Sequence, residues 1–287
     1  MNFERPGPDR DTRGELIRDD AARAEWAAER RQREAELDRR DPRRKTGNAL
    51  DRLVDAVHAG VAGTAWSRRW TAAAHRLVVT KYDVVASDLP AAFDGYRVLH
   101  VTDPHFGLLD ASLADLVACV AGLDVDLVAF TGDYWERFDG DAEAAADELA
   151  AIVRAAAPRD GALATLGNHD RAGMVDPIER RGIPILANDA TRIVCANAAL
   201  SVVGVDDTAD FHTAAAERAV ADAPEGFKIL LTHTPGLARP AAPAGFALYL
   251  CGHTHGGQLC LPGEFPIETA MGWRRRFARR GLGGPAR

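Results

Sequence analysis

Residues 162–170 read Ala-Leu-Ala-Thr-Leu-Gly-Asn-His-Asp, a short apolar run that ends in a group of polar side chains. An apolar run of this length, bounded by glycine, favours a buried strand. The side chains of Asn168 and His169, which follow the run, offer an oxygen and imidazole nitrogens. The stretch therefore predicts a strand that carries potential ligands at its carboxyl end.

Four other segments repeat this arrangement of an apolar run followed by polar residues. They are residues 96–105, 126–133, 227–233 and 247–255. In α/β sheets, sites collect at the carboxyl ends of the strands, because the loops converge there while the framework stays rigid. Five strand ends with donor side chains therefore predict one convergent site. Its candidate members are Asp103, His105, Asp133, Asn168, His233, His253 and His255.

Two of the motifs place donors two residues apart, as Asp103-x-His105 and His253-x-His255. In an extended backbone, residues two apart point to the same side. We therefore expect both donors of each pair to face the same cluster. Carboxylate, amide oxygen and neutral imidazole suit Mn, Fe, Zn or Ni better than a cage made only of oxygens would.

From residue 77 onward, the chain alternates between strand-like and helix-like patterns. Further apolar runs at 193–195 and 200–205 predict strands, and Ala-rich stretches at 111–121, 142–157 and 213–221 predict helices. The runs are mostly continuous rather than alternating, as in strands that are covered on both faces. The pattern predicts an α/β fold with sheets layered between helices.

Read in chain order, the motifs D-x-H, G-D, G-N-H-D, H and G-H-T-H resemble the signature of the calcineurin-like metallophosphoesterases. The resemblance extends over about residues 77–262, and the motif Gly-His-Thr-His-Gly-Gly-Gln at 252–258 is similar to that of one bacterial branch. The fold implied by this resemblance is a four-layer α/β/β/α sandwich of two mixed sheets flanked by helices.

The resemblance also implies two divalent cations, with manganese favoured and iron, zinc or nickel as alternatives. A hydroxide between the cations would be the nucleophile, because the metal charge lowers the pKa of water toward neutrality. The implied ligands are Asp103, His105 and His255 for the first cation, Asn168, His233 and His253 for the second, and Asp133 as the bridge.

Two residues of the G-N-H-D motif are implied to act in catalysis without binding metal. His169 would stabilise the charge that develops on phosphorus or donate a proton to the leaving oxygen. Asp170 would hydrogen-bond to His169 and favour its protonated form. Arg171 could neutralise a second phosphate or be solvated, and both interpretations stay open.

The implied activity is hydrolysis of a phosphate ester or diphosphate in a small-molecule or lipid substrate. One alternative is a membrane-surface enzyme acting on lipid-linked or nucleotide-linked diphosphates such as a UDP-sugar lipid. A second alternative is a scaffold that keeps the fold without the chemistry. Liposome binding would favour the first alternative, and metal loading without turnover would favour the second.

Composition limits the other functional classes. The chain has 287 residues and a formal net charge of −7, which argues against a nucleic-acid partner. Its four cysteines form no C-x-x-C pair, which favours reduced, buried thiols. Charged residues follow Met1 where a signal peptide would have an apolar segment, and no stretch reaches the roughly 20 apolar residues of a spanning helix. We therefore expect a cytoplasmic protein, with peripheral membrane contact as an alternative.

The chain divides into three regions by composition. Residues 1–47 form a charged region in which apolar residues set no core-facing stripe, so a mobile or partly helical arm is expected. Residues 48–74 predict an amphipathic helical segment, which either packs on the catalytic domain or lies on a membrane surface. Residues 75–287 form the predicted metallophosphoesterase domain, with a basic C-terminal tail.

Overall fold

Two β-sheets form the centre of the fold in the computed structural model of the chain. The structure describes residues 12–40, 77–107, 112–135 and 140–255, with isolated positions at 60, 63–65, 68, 72, 260–261 and 265–266. The predicted amphipathic segment at 48–74 lies almost wholly outside the described residues, and so do the basic tail beyond residue 266 and residues 256–259. Their interpretation therefore stays a prediction.

The strands belong to a three-stranded sheet, a five-stranded sheet and a short antiparallel pair. The three-stranded sheet has the order β2-β3-β4, with parallel pairing. The five-stranded sheet, β1-β5-β6-β7-β8, is mixed: the pairs β1–β5 and β5–β6 are antiparallel, whereas the pairs β6–β7 and β7–β8 are parallel. Strands β9 and β10 form the short pair. The bounds are β1 Thr12–Ile17, β2 Val98–Val101, β3 Leu127–Thr131, β4 Ala162–Thr165, β5 Asp189–Cys195, β6 Ala198–Gly204, β7 Phe227–Leu231, β8 Phe246–Leu250, β9 Cys260–Leu261 and β10 Phe265–Pro266.

Helices cover the outer faces of both sheets. Helix α3, Ala142–Ala156, begins after Asp141, whose carboxylate accepts the backbone N–H groups of Glu143 and Ala144. Helix α5, Ala214–Ala221, begins after Thr213, whose hydroxyl accepts the backbone N–H of Ala216. The α-helices are α1 Asp20–Arg40, α2 Ser112–Val120, α3 Ala142–Ala156, α4 Val175–Arg180, α5 Ala214–Ala221 and α6 Ala238–Ala241, and 3₁₀ turns occur at Ala91–Phe93, Ala172–Met174 and Pro235–Leu237.

The alternation of side chains along the strands creates three hydrophobic layers. In β3, Leu127 and Ala129 face the five-stranded sheet, whereas Val128 and Phe130 face helices α2, α3 and α4. In β7, Ile229 faces the three-stranded sheet, and Leu230 faces α5 and α6. The order is therefore helix, sheet, sheet, helix. This confirms the predicted α/β fold of two sheets flanked by helices.

The charged N-terminal region contributes a strand and a long helix. Strand β1 pairs antiparallel with β5 at the edge of the larger sheet, and α1 follows directly. Although α1 has no apolar stripe, Trp26 is buried in the hydrophobic layer between the three-stranded sheet and its helices. Arg30 and Glu34 of α1 are also buried. The composition argument did not anticipate this packing, because the helix contacts the domain largely through polar side chains that find partners there.

Candidate metal centre

The loops that follow β2, β3, β4, β7 and β8 meet at one edge of the two sheets. Backbone hydrogen bonds join them directly: Asp103 donates to the Gly132 carbonyl over 3.1 Å, and Gly252 donates to the His233 carbonyl over 2.9 Å. The carboxyl ends of the parallel strands point to the same edge, so all five predicted motifs lie together.

The backbone at the site adopts a conformation that the sequence argument did not predict. Asp103, His105, Asp133, His253 and His255 have φ values of 49°, 43°, 55°, 68° and 48°. These are left-handed conformations, which non-glycine residues rarely adopt and which often mark functional sites. The expectation that alternation in an extended chain orients each D-x-H or H-x-H pair is therefore wrong. Tight left-handed turns aim these side chains instead.

Glycines permit the close approach of the loops. A Cβ atom on Gly132 would overlap the backbone of Gly167, and one on Gly167 would overlap the carboxylate and amide nitrogen of Asp133. A Cβ on Gly252 would overlap the side chains of Thr102 and Asp103. The glycines thus bring the donor-bearing loops into contact, as residues without a side chain can.

The first donor group consists of two aspartates and two histidines. The Nε2 atoms of His105 and His255 lie 3.2 Å apart, and His255 Nε2 lies 3.3 Å from Asp103 Oδ1. His105 Nε2 lies 3.7 Å from Asp133 Oδ2. One ligand atom from each of the four side chains lies within 4.8 Å of every other.

The second donor group shares Asp133 with the first. His233 Nε2 lies 3.1 Å from Asp133 Oδ2 and 3.2 Å from His253 Nδ1. His253 Nδ1 in turn lies 2.9 Å from the amide oxygen of Asn168. Asp133, His233 and His253 again have donor atoms within 4.8 Å of one another. The structure thus brings all seven predicted ligands together in two groups joined by one carboxylate.

The spacing of the donors fits a pair of cations. Donors that bind one cation at about 2.1 Å are separated by about 3.0–3.4 Å in tetrahedral or octahedral geometry. Several nitrogen–nitrogen and nitrogen–oxygen distances in both groups fall in or near this range, at 3.1–3.3 Å. Carboxylate, imidazole and amide donors also suit a divalent transition metal.

A backbone contact orients His233 toward the shared aspartate. His233 Nδ1 lies 2.7 Å from the Thr131 carbonyl, which can only accept, so Nδ1 carries the hydrogen and Nε2 faces Asp133. Burial alone would lower the pKa of His233, but the adjacent Asp133 carboxylate raises it to about 10. Burial acts to raise the pKa of Asp133, but the interaction with His233 lowers that pKa by more. The pKa of Asp133 is therefore well below its ordinary value. The Asp133 carboxylate is therefore ionised, which is the form that binds a metal ion.

His169 lies beside the donor groups but belongs to neither of them. Its ring stands perpendicular to that of His105 with the ring centres 5.0 Å apart. Its backbone N–H donates to Asp133 Oδ1 over 2.9 Å. His169 thus lies next to the donors and belongs to neither donor group.

Asp170 makes different contacts from those expected. Its carboxylate is fully buried and accepts backbone N–H groups from Asp133, Tyr134 and Gly167 at 2.7–2.8 Å. The sequence-based expectation of a hydrogen bond to the His169 imidazole is therefore corrected: this carboxylate joins the loops after β3 and β4 through their backbones. Burial raises its pKa, and the negative charge of Asp133 adds to the effect.

Sequence reasoning missed a second set of buried charges behind the site. Asp206 and Asp207 follow β6, and both are fully buried. A signal for them existed, because β6 also ends in polar residues after an apolar run. Arg30 of α1, which contacts Asp206, had no such signal. Arg171, for which two interpretations stood open, donates to Asp38 of α1 over 2.6 Å.

Comparison with known proteins agrees with this geometry. The family described as calcineurin-like phosphoesterase matches residues 96–257, more than half of the chain. The chain belongs to the calcineurin-like phosphoesterase family. The match runs from just before β2 to just past the Gly-His-Thr-His motif and so includes every candidate ligand. This phosphoesterase is therefore a hydrolase of phosphoric ester bonds in a family that uses divalent metals.

Several relatives share a large part of the phosphoesterase chain. It is 27% identical to the uncharacterized metallophosphoesterase YkuE of Bacillus subtilis over 68% of this chain and 70% of that protein. It is 29% identical to the phosphodiesterase YaeI of Escherichia coli over 66% of this chain and 75% of that protein. A transmembrane protein with a metallophosphoesterase domain from Danio rerio is 28% identical over 63% of this chain and 45% of its own length. In the part of the present chain that the structure describes, no helix has the length and apolar character needed to cross a bilayer.

Proposed function

We propose that this phosphoesterase hydrolyses a phosphate ester or diphosphate with two divalent cations, manganese first among them. The observation that carries the proposal is the position of Asp133, the one side chain common to both donor groups. Asp103, His105 and His255 would hold one cation, Asn168, His233 and His253 the other, and Asp133 both. Bound there, the cations would supply charge neutralisation and activation of a water nucleophile.

The remaining residues of the site have roles that follow from their contacts. His169, close to the first donor group and outside both, would donate a proton to the leaving oxygen or stabilise charge on the phosphoryl group. Asp170 would position the loops that carry Asp133 and Asn168, since its carboxylate holds the backbone of both loops. Asp170 thus acts through backbone geometry rather than on the substrate.

The substrate class is proposed from the site and from one relative. YaeI is named a phosphodiesterase, so a diester belongs in any substrate panel together with a monoester and a diphosphate. A lipid-linked diphosphate at a membrane surface is the second candidate, and the Danio rerio relative, named as a transmembrane protein, favours including it. Pelleting with anionic liposomes would support that candidate, and its absence would count against it.

The test compares the wild-type protein with Asp133→Asn after reconstitution with manganese. We expect wild-type turnover of bis(4-nitrophenyl) phosphate, 4-nitrophenyl phosphate or a nucleoside diphosphate sugar, abolished by a chelator. Asp133→Asn should bind both cations more than about 100-fold more weakly, because even partners that only orient a metal ligand are worth 10–100-fold. Asp124→Asn, at an exposed ion pair with Arg97, is the matched control.

Two outcomes would contradict the proposal. Full turnover by Asp133→Asn would show that Asp133 does not bridge the two cations. A wild-type protein that binds two manganese ions by calorimetry and elemental analysis, yet turns over no substrate of the panel, would favour the inactive scaffold.

A further inference from the structure

Helix α1 contacts the backbone of the loop that carries Asn168 and His169. The guanidinium of Arg30, which is 2% exposed, donates from Nη2 to the Gly167 carbonyl over 2.9 Å and to the Asp170 carbonyl over 2.8 Å. These two carbonyls stand on either side of Asn168 and His169 in the chain. One side chain from the N-terminal region thus spans the segment that presents both residues.

The other nitrogens of Arg30 fix the guanidinium in place. Nη1 donates to the buried Asp206 carboxylate, and Nε donates to Glu34 Oε1 over 3.3 Å. The guanidinium also lies over the Phe211 ring, 3.9 Å from its centre. A planar group held on its edges and its face has little freedom to move, so the carbonyls it binds are held as well.

Three further contacts extend this connection along α1. Glu34 Oε1 accepts the backbone N–H of Ala172 over 2.7 Å, and Asp38 pairs with Arg171 over 2.6 Å. Trp26 Nε1 donates to Asp206 over 2.7 Å. The helix therefore binds both the loop after β4 and the residues that follow it, over three of its turns.

We propose that Arg30 is a positioning residue that holds the loop of Asn168 and His169 in the geometry needed for metal binding and catalysis. The proposal rests on the function proposed for the site. A region of the chain that is outside the matched family segment would then complete its metal centre. The contacts of Arg30 include no candidate ligand atom, so Arg30 would act through the two carbonyls.

The helix provides a matched control in Arg23. This arginine also joins α1 to the domain through two ion pairs, to Glu179 over 3.1 Å and to Asp189 over 3.0 Å. Its partners lie in α4 and β5, neither of which carries a candidate ligand. Arg23→Lys and Arg30→Lys both keep the positive charge, so the Asp206 carboxylate keeps a counter-charge in the second variant. A single ammonium nitrogen cannot reach the four acceptors of the Arg30 fork.

The first measurement is hydrogen–deuterium exchange of the metal-free protein, which requires no turnover. We expect Arg30→Lys to raise exchange about tenfold at the amides of Asp133, Tyr134 and Gly167, which bond to Asp170, because losing hydrogen bonds from a charged group shifts the local opening equilibrium by about this factor. Arg23→Lys should leave these amides as in the wild type. Glu34→Ala removes a partner of both Arg30 and Ala172, and should raise exchange in the same segment to a smaller extent.

The second measurement is calorimetric titration with manganese, together with kcat and KM. Arg30→Lys should weaken one of two binding events about tenfold and lower kcat more than it raises KM. Equal behaviour of Arg30→Lys and Arg23→Lys, with no added exchange in Glu34→Ala, would overturn the proposal and leave Arg30 as a docking contact only. A wild-type protein without turnover, in which the exchange difference persists, would refute the proposed function and retain the positioning role.

Discussion

At the scale of single residues, the site depends on side chains that share acceptors and charges at short range. Asp133 belongs to both donor groups and also accepts the His169 backbone N–H, so its carboxylate fixes three features of the site. His169 differs from the other histidines of the motifs, because its ring contacts His105 yet shares no donor group. Metal binding and catalysis should therefore be separable by substitution.

His169→Ala tests this separation. We expect manganese affinity within about threefold of the wild type, and kcat lower by about 10²–10⁴-fold, the range that a lost proton donor usually costs. Calorimetry measures the affinity, and steady-state kinetics the rate. His212→Ala, at an exposed histidine, is the control and should change neither. If His169→Ala loses a metal ion, His169 is a ligand and its proposed role is wrong.

At the scale of elements, the site depends on how closely the loops after β3 and β4 approach. Asp170 bonds to the backbone of both loops, and the glycines of both loops leave no space for a side chain. The strands deliver the motifs to one edge, but the loop backbones set the positions of the donors within it. Steric change at a loop glycine should therefore disturb the metal centre.

Gly167→Ala should damage the site without unfolding the protein. The added Cβ would overlap the Asp133 carboxylate, and overpacking of this kind commonly costs about 1–3 kcal/mol of unfolding free energy. We expect a lower melting temperature together with weaker manganese binding. Gly173→Ala is the matched control, because a Cβ there would meet no atom within 4 Å. Equal metal affinity in both variants would contradict the prediction.

At the scale of the whole molecule, the fold partly or fully buries several titratable groups, and His100 is one of the half-buried ones. His100 in β2 bonds through Nε2 to the Thr131 hydroxyl over 2.8 Å. Burial lowers its pKa from 6.5 to about 4, although Asp103 acts in the opposite direction. The folded state therefore favours the neutral imidazole, and the unfolded state binds the proton more readily.

The sign of the pH dependence follows from these two pKa values. The stability that His100 contributes is complete above pH 6.5 and is lost as the pH falls from 6.5 toward 4. At pH 5 the loss should reach about 2 kcal/mol relative to pH 7. Denaturant unfolding of metal-free protein at both pH values measures it. His100→Gln cannot take up a proton and should show a smaller difference; an unchanged difference would refute the assignment.

Much of the fold and of the site could be predicted from local sequence. The apolar runs at 126–131 and 227–232 became β3 and β7, because continuous apolar residues suit strands covered on both faces. The seven predicted ligands do converge. The contacts between residues far apart in sequence could not be predicted. Arg30 and Asp206, for example, are 176 positions apart, and no local periodicity indicates that they meet.

The sequence alone determined most strands of the catalytic region, the strand ends at which the donor side chains stand, and hence the family and its kind of chemistry. These properties depend on residue type and spacing over a few positions, which local hydrophobic pattern and motif order record. Only the tertiary structure decided the left-handed turns that aim the donors, the contacts of Asp170 and the docking of α1. Those features arise from polar groups that must find partners once water is excluded, and such partners are fixed by the packing of the whole chain.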